Sequence, residues 1–386
     1  MKLQPFLLDQ WPNRYHFAGS PVEFDLASST GPSWTMHDLM EMSDANALEE
    51  LFGTRLVYSH ASGGEALRRE IAGMQGVSPE HVQVVTGASE ALLILFFLAA
   101  EPQANVVLPF PCFPTMQAIP ESLGLETRFY RLRRENEYRI DPDEIKRLID
   151  GRTKLVLINS PHNPTGATLS DDVMSALHDY LAERSVQLVV DEVYHPIYNG
   201  RPSESAARLE RATVLGDFSK AFCLSGLRAG WIIERDPKRI EQYLDARSYF
   251  TISNSPVSEA MAVVAVQNRE KIFGRARQIV SSNLALLDRF MSDHAGFFGW
   301  VRPVGGMTAF PWLVSDKDAR GFCESLAEQG VLLAPGDCFQ MPSHFRLGFG
   351  ASGDRFPQAL KRLDGFLRSQ KPEFRSRNSE ARSQNR

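Results

Sequence analysis

Apolar positions along the chain fall into short runs rather than one continuous stripe. Val82–Val85, Asn105–Leu108, Leu155–Ile158, Val186–Val190, Ala212–Leu215 and Trp231–Ile233 are rich in aliphatic and β-branched residues. Several are apolar almost throughout. A strand with one wet face alternates, so these runs predict strands covered on both faces, as in a parallel sheet. Between them, Glu65–Met74, Glu90–Ala100, Pro142–Ile149 and Asp171–Glu183 predict helices. Asp141 stands at a cap position, and Pro142 follows at the first helical position, where a missing N–H costs nothing. Ser170 is placed to cap the fourth helix through its hydroxyl. Strands alternating with helices over residues 80–240 predict an α/β fold, a three-layer domain with a mostly parallel sheet.

The pattern then changes. Ser258–Arg289 has few breakers and predicts one long helix or two in series. After Gly305–Gly306, Thr308–Leu313 reads as β, Asp318–Gln329 as helix, and Val331–Leu333 as a short apolar run before the turn at Pro335–Gly336. Phe345–Phe349 reads as a strand, and Ser352–Ser369 contains a last helix. This predicts a smaller α+β domain from residues 1–45 and 286–370, beside a large domain of residues 46–285. Residues 371–386 carry five basic and two acidic side chains, with Phe374 the only large apolar one. A solvated, disordered tail is expected there rather than a nucleic-acid arm.

Composition narrows the classes. With 386 residues, 43% of them hydrophobic, the chain can bury a large core. A formal charge of −5 argues against a general nucleic-acid binder. Cys112, Cys223, Cys323 and Cys338 show no paired or metal-ligand spacing, which suits a reducing compartment and predicts no metal site. The longest apolar stretch, Ala91–Ala100, is ten residues and too short to span a bilayer. Met1–Tyr15 lacks the apolar segment of a secretory signal, so the cytoplasm is the expected location.

Three loops and one strand end could carry chemistry. Gly87-Ala88-Ser89-Glu90 lies between a strand and a helix, where free N–H groups and a hydroxyl could meet a phosphate. It could equally be a tight turn with Ser89 as helix cap. Asn159-Ser160-Pro161-His162-Asn163-Pro164-Thr165-Gly166 follows another strand, and is either a rigid connector or a ligand loop at a strand's carboxyl end. Asp191 ends a strand apolar enough that an unpaired carboxylate there would be costly. In Asp217-Phe218-Ser219-Lys220-Ala221-Phe222-Cys223-Leu224-Ser225-Gly226-Leu227-Arg228, a lysine and an arginine share surroundings poor in other charge. A desolvated lysine there would have a lowered pKa and could attack a carbonyl.

These segments, in this order, resemble the fold-type-I pyridoxal-phosphate enzymes, most closely the class I/II aminotransferases. The likeness runs from about Tyr58 to Phe349 and rests on Ser219-Lys220, Ser225-Gly226-Leu227-Arg228, Asn163-Pro164-Thr165-Gly166, Asp191-Glu192-Val193-Tyr194 and Arg346. It implies that Lys220 forms an aldimine with pyridoxal 5'-phosphate and serves as the catalytic base. Asp191 would pair with the pyridine nitrogen, Asn163 and Tyr194 with the phenolic oxygen, and Phe113 would stack on the ring. Ala88, Ser89 and Arg228 would hold the phosphate, with Tyr58 reaching it from the neighbouring subunit of a homodimer with shared active sites. Arg346 would clamp the substrate carboxylate and Gly31 belong to the loop over it.

The expected activity is transfer of an amino group from an L-α-amino acid to a 2-oxo acid. The alternative is lyase, cyclase or oxidase chemistry on an amino acid such as an arginine derivative. Ser28–Trp34 and Gly305–Phe310 look similar to a subgroup that includes capreomycidine synthase, a cyclase. Asp217 stands where many relatives carry Ser or Thr on the phosphate, and is expected to turn away or to bond neighbouring N–H groups. Cys223 replaces a frequent glycine.

Overall fold

The computed structural model describes residues 3–17, 19–43 and 45–383. At its centre is a seven-stranded sheet: β1 (Val82–Val85), β2 (Asn105–Phe110), β3 (Glu126–Arg131), β4 (Thr153–Asn159), β5 (Gln187–Asp191), β6 (Ala212–Asp217) and β7 (Gly230–Ile233). Their order across the sheet is β1-β7-β6-β5-β4-β2-β3. Only β7 runs antiparallel to its neighbours. The apolar runs thus become the interior strands. Leu155 and Leu157 enter one core, Val156 and Ile158 the other, so consecutive residues feed opposite layers. One layer includes the helices Ala88–Ala99, Pro114–Ser122 and Pro237–Phe250, and the opposite one Glu65–Gln75, Pro142–Leu148 and Asp171–Ala182.

β3 is the strand that the apolar runs did not predict. It lies at the sheet's edge, with Glu126 and Arg131 exposed, so it needs no continuous apolar sequence. Asp141 caps its helix by accepting from Asp143 N. Ser170 occupies the N-cap position, but its side chain makes no capping bond. Ser160 Oγ instead accepts from the Leu169 N–H nearby.

The helical stretch after residue 257 is two helices, Pro256–Gln267 and Arg269–Asp293, which meet at Asn268. Thr308–Leu313 is likewise divided, into Thr308–Ala309 and Trp312–Leu313, with Pro311 between them lacking a ladder donor. The former pairs with Phe345–Gly348, which also pairs with Ala334–Pro335. The N-terminal segment joins this unit. Phe24–Asp25 pairs in parallel with Val331–Leu332, and Trp11 Nε1 donates to Leu333 O at 2.7 Å.

The last helix, Phe356–Ser383, continues through most of the segment expected to be a disordered tail. Extending a packed helix avoids a second nucleation cost, which composition alone does not reveal. Residues 384–386 of that expected tail lie outside the described residues. Among the described residues, no helix is long and apolar enough to cross a membrane.

Candidate active site

The chemistry-bearing loops gather at the carboxyl ends of the parallel strands, the usual ligand edge of an open α/β sheet. Register does the gathering. Asn159 at the end of β4 sits opposite Asp191 at the end of β5, while Val85, Gly230 and Asp217 line up across β1, β7 and β6. A cavity of about 200 Å³ lies there. It is lined by Ala88, Ser89, Phe113, Asn163, Asp191, Tyr194, Lys220 and Arg228, all expected from the sequence.

At one end, Gly87 caps the Ala88–Ala99 helix with φ 78°, which favours glycine. The helix's first N–H groups have no intrahelical acceptor. A Cβ on Gly87 would lie 2.9 Å from Arg228 Nη2, so the missing side chain lets the guanidinium approach this helix end. Arg228 donates to Ser225 O at 3.0 Å and to Ser219 Oγ at 3.4 Å.

At the other end, Asp191 is 4% exposed and accepts from Val193 N at 3.2 Å. Burial pushes its pKa up to about 7, helped by the negative charge of Asp217 and opposed by that bond and by Lys220. Asn159 braces this end: its amide donates to Asp191 O at 3.1 Å and its Oδ1 accepts from Asn163 N at 2.8 Å.

Lys220 stands between the two ends, on a turn after β6. Phe218 and Phe222 anchor the turn, with ring centroids 4.7 Å apart and Phe222 packed on Phe273 at 4.6 Å. Desolvation lowers the Lys220 pKa to about 8, with Arg346 and Arg228 adding to the effect and Asp217 and Asp191 opposing it. Asp217 accepts from Ser219 N at 2.9 Å, as expected, but it does not turn away: it lines the cavity and is 7% exposed.

Three expected residues do not line the cavity. Arg346 lies behind Asn163, buried to 4%, and donates to Asn163 Oδ1 at 3.1 Å and Ala27 O at 2.7 Å. Gly31 packs against Cys223 and Met307, where a Cβ would stand 2.3 Å from Cys223 Sγ. Tyr58 is 80% exposed. His162 and His195, which flank site residues, lie outside the cavity and bond Thr165 and Tyr198. Burial lowers their pKa values to about 3 and about 4.

Sequence reasoning missed Ser29 and Asn159. Asn159 opens the quoted proline-rich motif and ends a strand, which was a usable signal. Ser29 had none beyond its loop: it reaches Lys220 from 191 positions away.

The donor set suits one kind of ligand. Helix N–H groups, a guanidinium and hydroxyls at one end match a phosphate. A buried carboxyl that no cation bonds among the described residues matches a protonated ring nitrogen, and a partly buried amine between them matches an aldehyde. Fold and site together define a fold-type-I pyridoxal-phosphate enzyme.

Comparison with known proteins agrees. Residues 25–363 match the family described as aminotransferase class I and II. Capreomycidine synthase of Streptomyces vinaceus is 30% identical over 364 residues, 92% of this chain and 91% of that protein. A PLP-dependent aminotransferase from Streptococcus suis superposes with a TM-score of 0.88 at 27% identity, covering 96% of this chain and 99% of its own. The PLP-dependent cyclase OrfR gives 0.85 at 28% identity, covering 96% and 98%. The chain belongs to the class I and II aminotransferase family, enzymes of pyridoxal-phosphate-dependent amino-group chemistry.

Proposed function

We propose that the cavity holds pyridoxal 5'-phosphate on Lys220, and that the enzyme moves an amino group from an L-α-amino acid to a 2-oxo acid. The observation that carries this reading is one amine, with its pKa lowered to about 8, in a cavity between a helix N-terminus and the buried Asp191 carboxyl. Bound there, the cofactor supplies an electron sink for the pair left on the substrate's Cα.

The chain's residues do the rest. Ala88, Ser89 and Arg228 hold the phosphate. Asp191 faces the ring nitrogen, and a cation beside it restores the carboxylate that burial disfavours. Asn163 donates to the phenolic oxygen, as does Tyr194 on giving up its bond to Ser29 O, and Phe113 covers the ring. Arg346 holds the substrate carboxylate in a fork and so orients the Cα–H bond. Lys220, once released as a free amine, takes the Cα proton and returns it. Gly31 lets the Ser28–Gly31 loop approach closely. Tyr58 completes a neighbouring subunit's phosphate site, which makes the enzyme a homodimer with shared sites. The large domain spans residues 46–285 and the small one residues 1–45 and 286–370. Four buried free cysteines support a cytoplasmic location.

The resemblance to capreomycidine synthase and OrfR favours a second reading: cyclase or lyase chemistry on an amino acid such as an arginine derivative, by the same residues. Borohydride reduction of the protein loaded with pyridoxal phosphate is expected to leave a covalent adduct on Lys220, located by peptide mass. No adduct, or one confined to another lysine, overturns both readings. A 2-oxo acid that keeps the donor's carbon skeleton, formed from donor alone while the amino group accumulates as pyridoxamine phosphate, supports aminotransfer, whereas release of ammonia or a cyclised or dehydrated product from guanidino amino acids supports the second reading.

A further inference from the structure

The Ser28–Gly31 loop does more than border the site. Ser29 is 8% exposed, and its Oγ accepts from Lys220 Nζ at 2.9 Å. Its carbonyl accepts from the Tyr194 hydroxyl at 3.0 Å. One residue therefore contacts both the amine and the phenol proposed to act on the cofactor.

The chain leading to Ser29 is pinned from several sides. Asp25 Oδ1 accepts from the N–H groups of Ala27 and Ser28, at 2.8 and 3.0 Å, and Ser352 Oγ donates to Asp25 O at 3.2 Å. Leu26 bonds Leu332 and Gly348 through its own N–H and carbonyl, and Arg346 donates to Ala27 O. Beyond Ser29, Ser28 and Thr30 join hydroxyls at 2.9 Å, and Gly31 packs on Cys223. A hydroxyl carried on a backbone fixed in this way is a preorganised acceptor, not a side chain in search of a partner.

We propose that Ser29 is the positioning residue that receives the Lys220 amine when substrate has displaced it from the cofactor. The inference rests on the cofactor reading above. As a free amine, Lys220 Nζ takes the proton from the substrate's Cα: the C–H bond breaks, an N–H bond forms, and the electron pair stays on the substrate carbon. The ammonium so formed donates to Ser29 Oγ, which steadies the charge until the proton is returned. Asp191 and Asp217 stabilise the same charge, while Arg228 and Arg346 oppose it, and Tyr194 lies alongside. Ser29 contributes a neutral acceptor whose help does not change with pH.

The test uses two measurements. In the cofactor-free protein, competitive acetylation of Lys220 across pH, located by peptide mass, gives the midpoint at which the amine appears. Removing an acceptor of the ammonium lowers that midpoint, so Ser29→Ala is expected to shift it down by about one pH unit, whereas Ser29→Thr, which keeps the hydroxyl, is expected to leave it near the parent's. Threonine separates loss of the acceptor from a general disturbance of the loop. In the Ser29→Ala holoenzyme, Cα hydrogen exchange is expected to fall about tenfold in kcat, with KM changed less than about twofold. A Ser29→Ala midpoint equal to the parent's, or a Ser29→Thr midpoint lowered as far as alanine's, overturns the proposal, as does a loss confined to KM. The labelling arm needs no cofactor. A parent protein that forms no adduct with pyridoxal phosphate would refute the proposed function while leaving the Ser29–Lys220 contact to be judged by labelling.

Discussion

Asp191 and Lys220 respond to the same burial in opposite directions. Desolvation disfavours charge, so it raises the carboxyl to about 7 and lowers the amine to about 8. For Asp191 the folded value exceeds the unfolded one, so the native state keeps a proton that the unfolded chain releases above about pH 4. This group's contribution to stability is full below the unfolded value and is lost as pH rises through about 7. Asp191→Asn removes that dependence. In the cofactor-free protein, thermal melts are expected to show the variant's advantage over the parent growing between pH 5 and pH 8, by about 2–4 °C. Equal differences at the two pH values would show that Asp191 is not neutralised by burial. With cofactor bound the order should reverse, because asparagine offers no anion to a ring cation.

Gly87 shows how an element, rather than a residue, makes the proposed phosphate end. β1, a two-residue turn whose second residue, Gly87, has positive φ, and the Ala88–Ala99 helix must follow each other closely for the helix N-terminus to face the cavity. Alanine at 87 would strain the backbone and push on Arg228 Nη2, 2.9 Å from the new Cβ. Gly87→Ala is expected to weaken pyridoxal phosphate binding about tenfold or more, measured by absorbance titration, with the far-ultraviolet dichroism unchanged. Unaltered affinity would place the phosphate elsewhere. Other elements had less to announce them. β3 carries an edge strand's mixed residues, and Ser170 occupies a cap position without forming the bond. A cap residue shows where a helix begins, not which acceptor its N–H groups find.

On the surface of the molecule, a run of exposed apolar side chains lies near Tyr58. Leu56, Val57 and Tyr58 are 82%, 55% and 80% exposed, and Phe52 is 78% exposed just before them. Neighbouring apolar side chains in water suit a contact between subunits. Equilibrium sedimentation is expected to give twice the chain mass of 43.3 kDa, and Leu56→Asp with Val57→Asp to shift the protein toward monomer with weakened cofactor binding. A monomeric parent would remove Tyr58 from the site.

Much of the fold and of the cavity's lining could be read from the sequence. Strands buried on both faces must be apolar throughout, and the residue ending such a strand, such as Asp191, stands out against it. Local order also places Lys220 and Arg228 on one loop after β6. Ser29 and Arg346 are different. They come within reach of Lys220 and Asn163 across 191 and 183 positions, through packing of the two chain ends on the sheet. Periodicity reports which face a residue shows to its own element, so it determines burial and the ends of strands. It carries no record of which distant segment comes to lie opposite. The choice of Ser29 as the acceptor for the Lys220 amine was therefore made by tertiary structure alone.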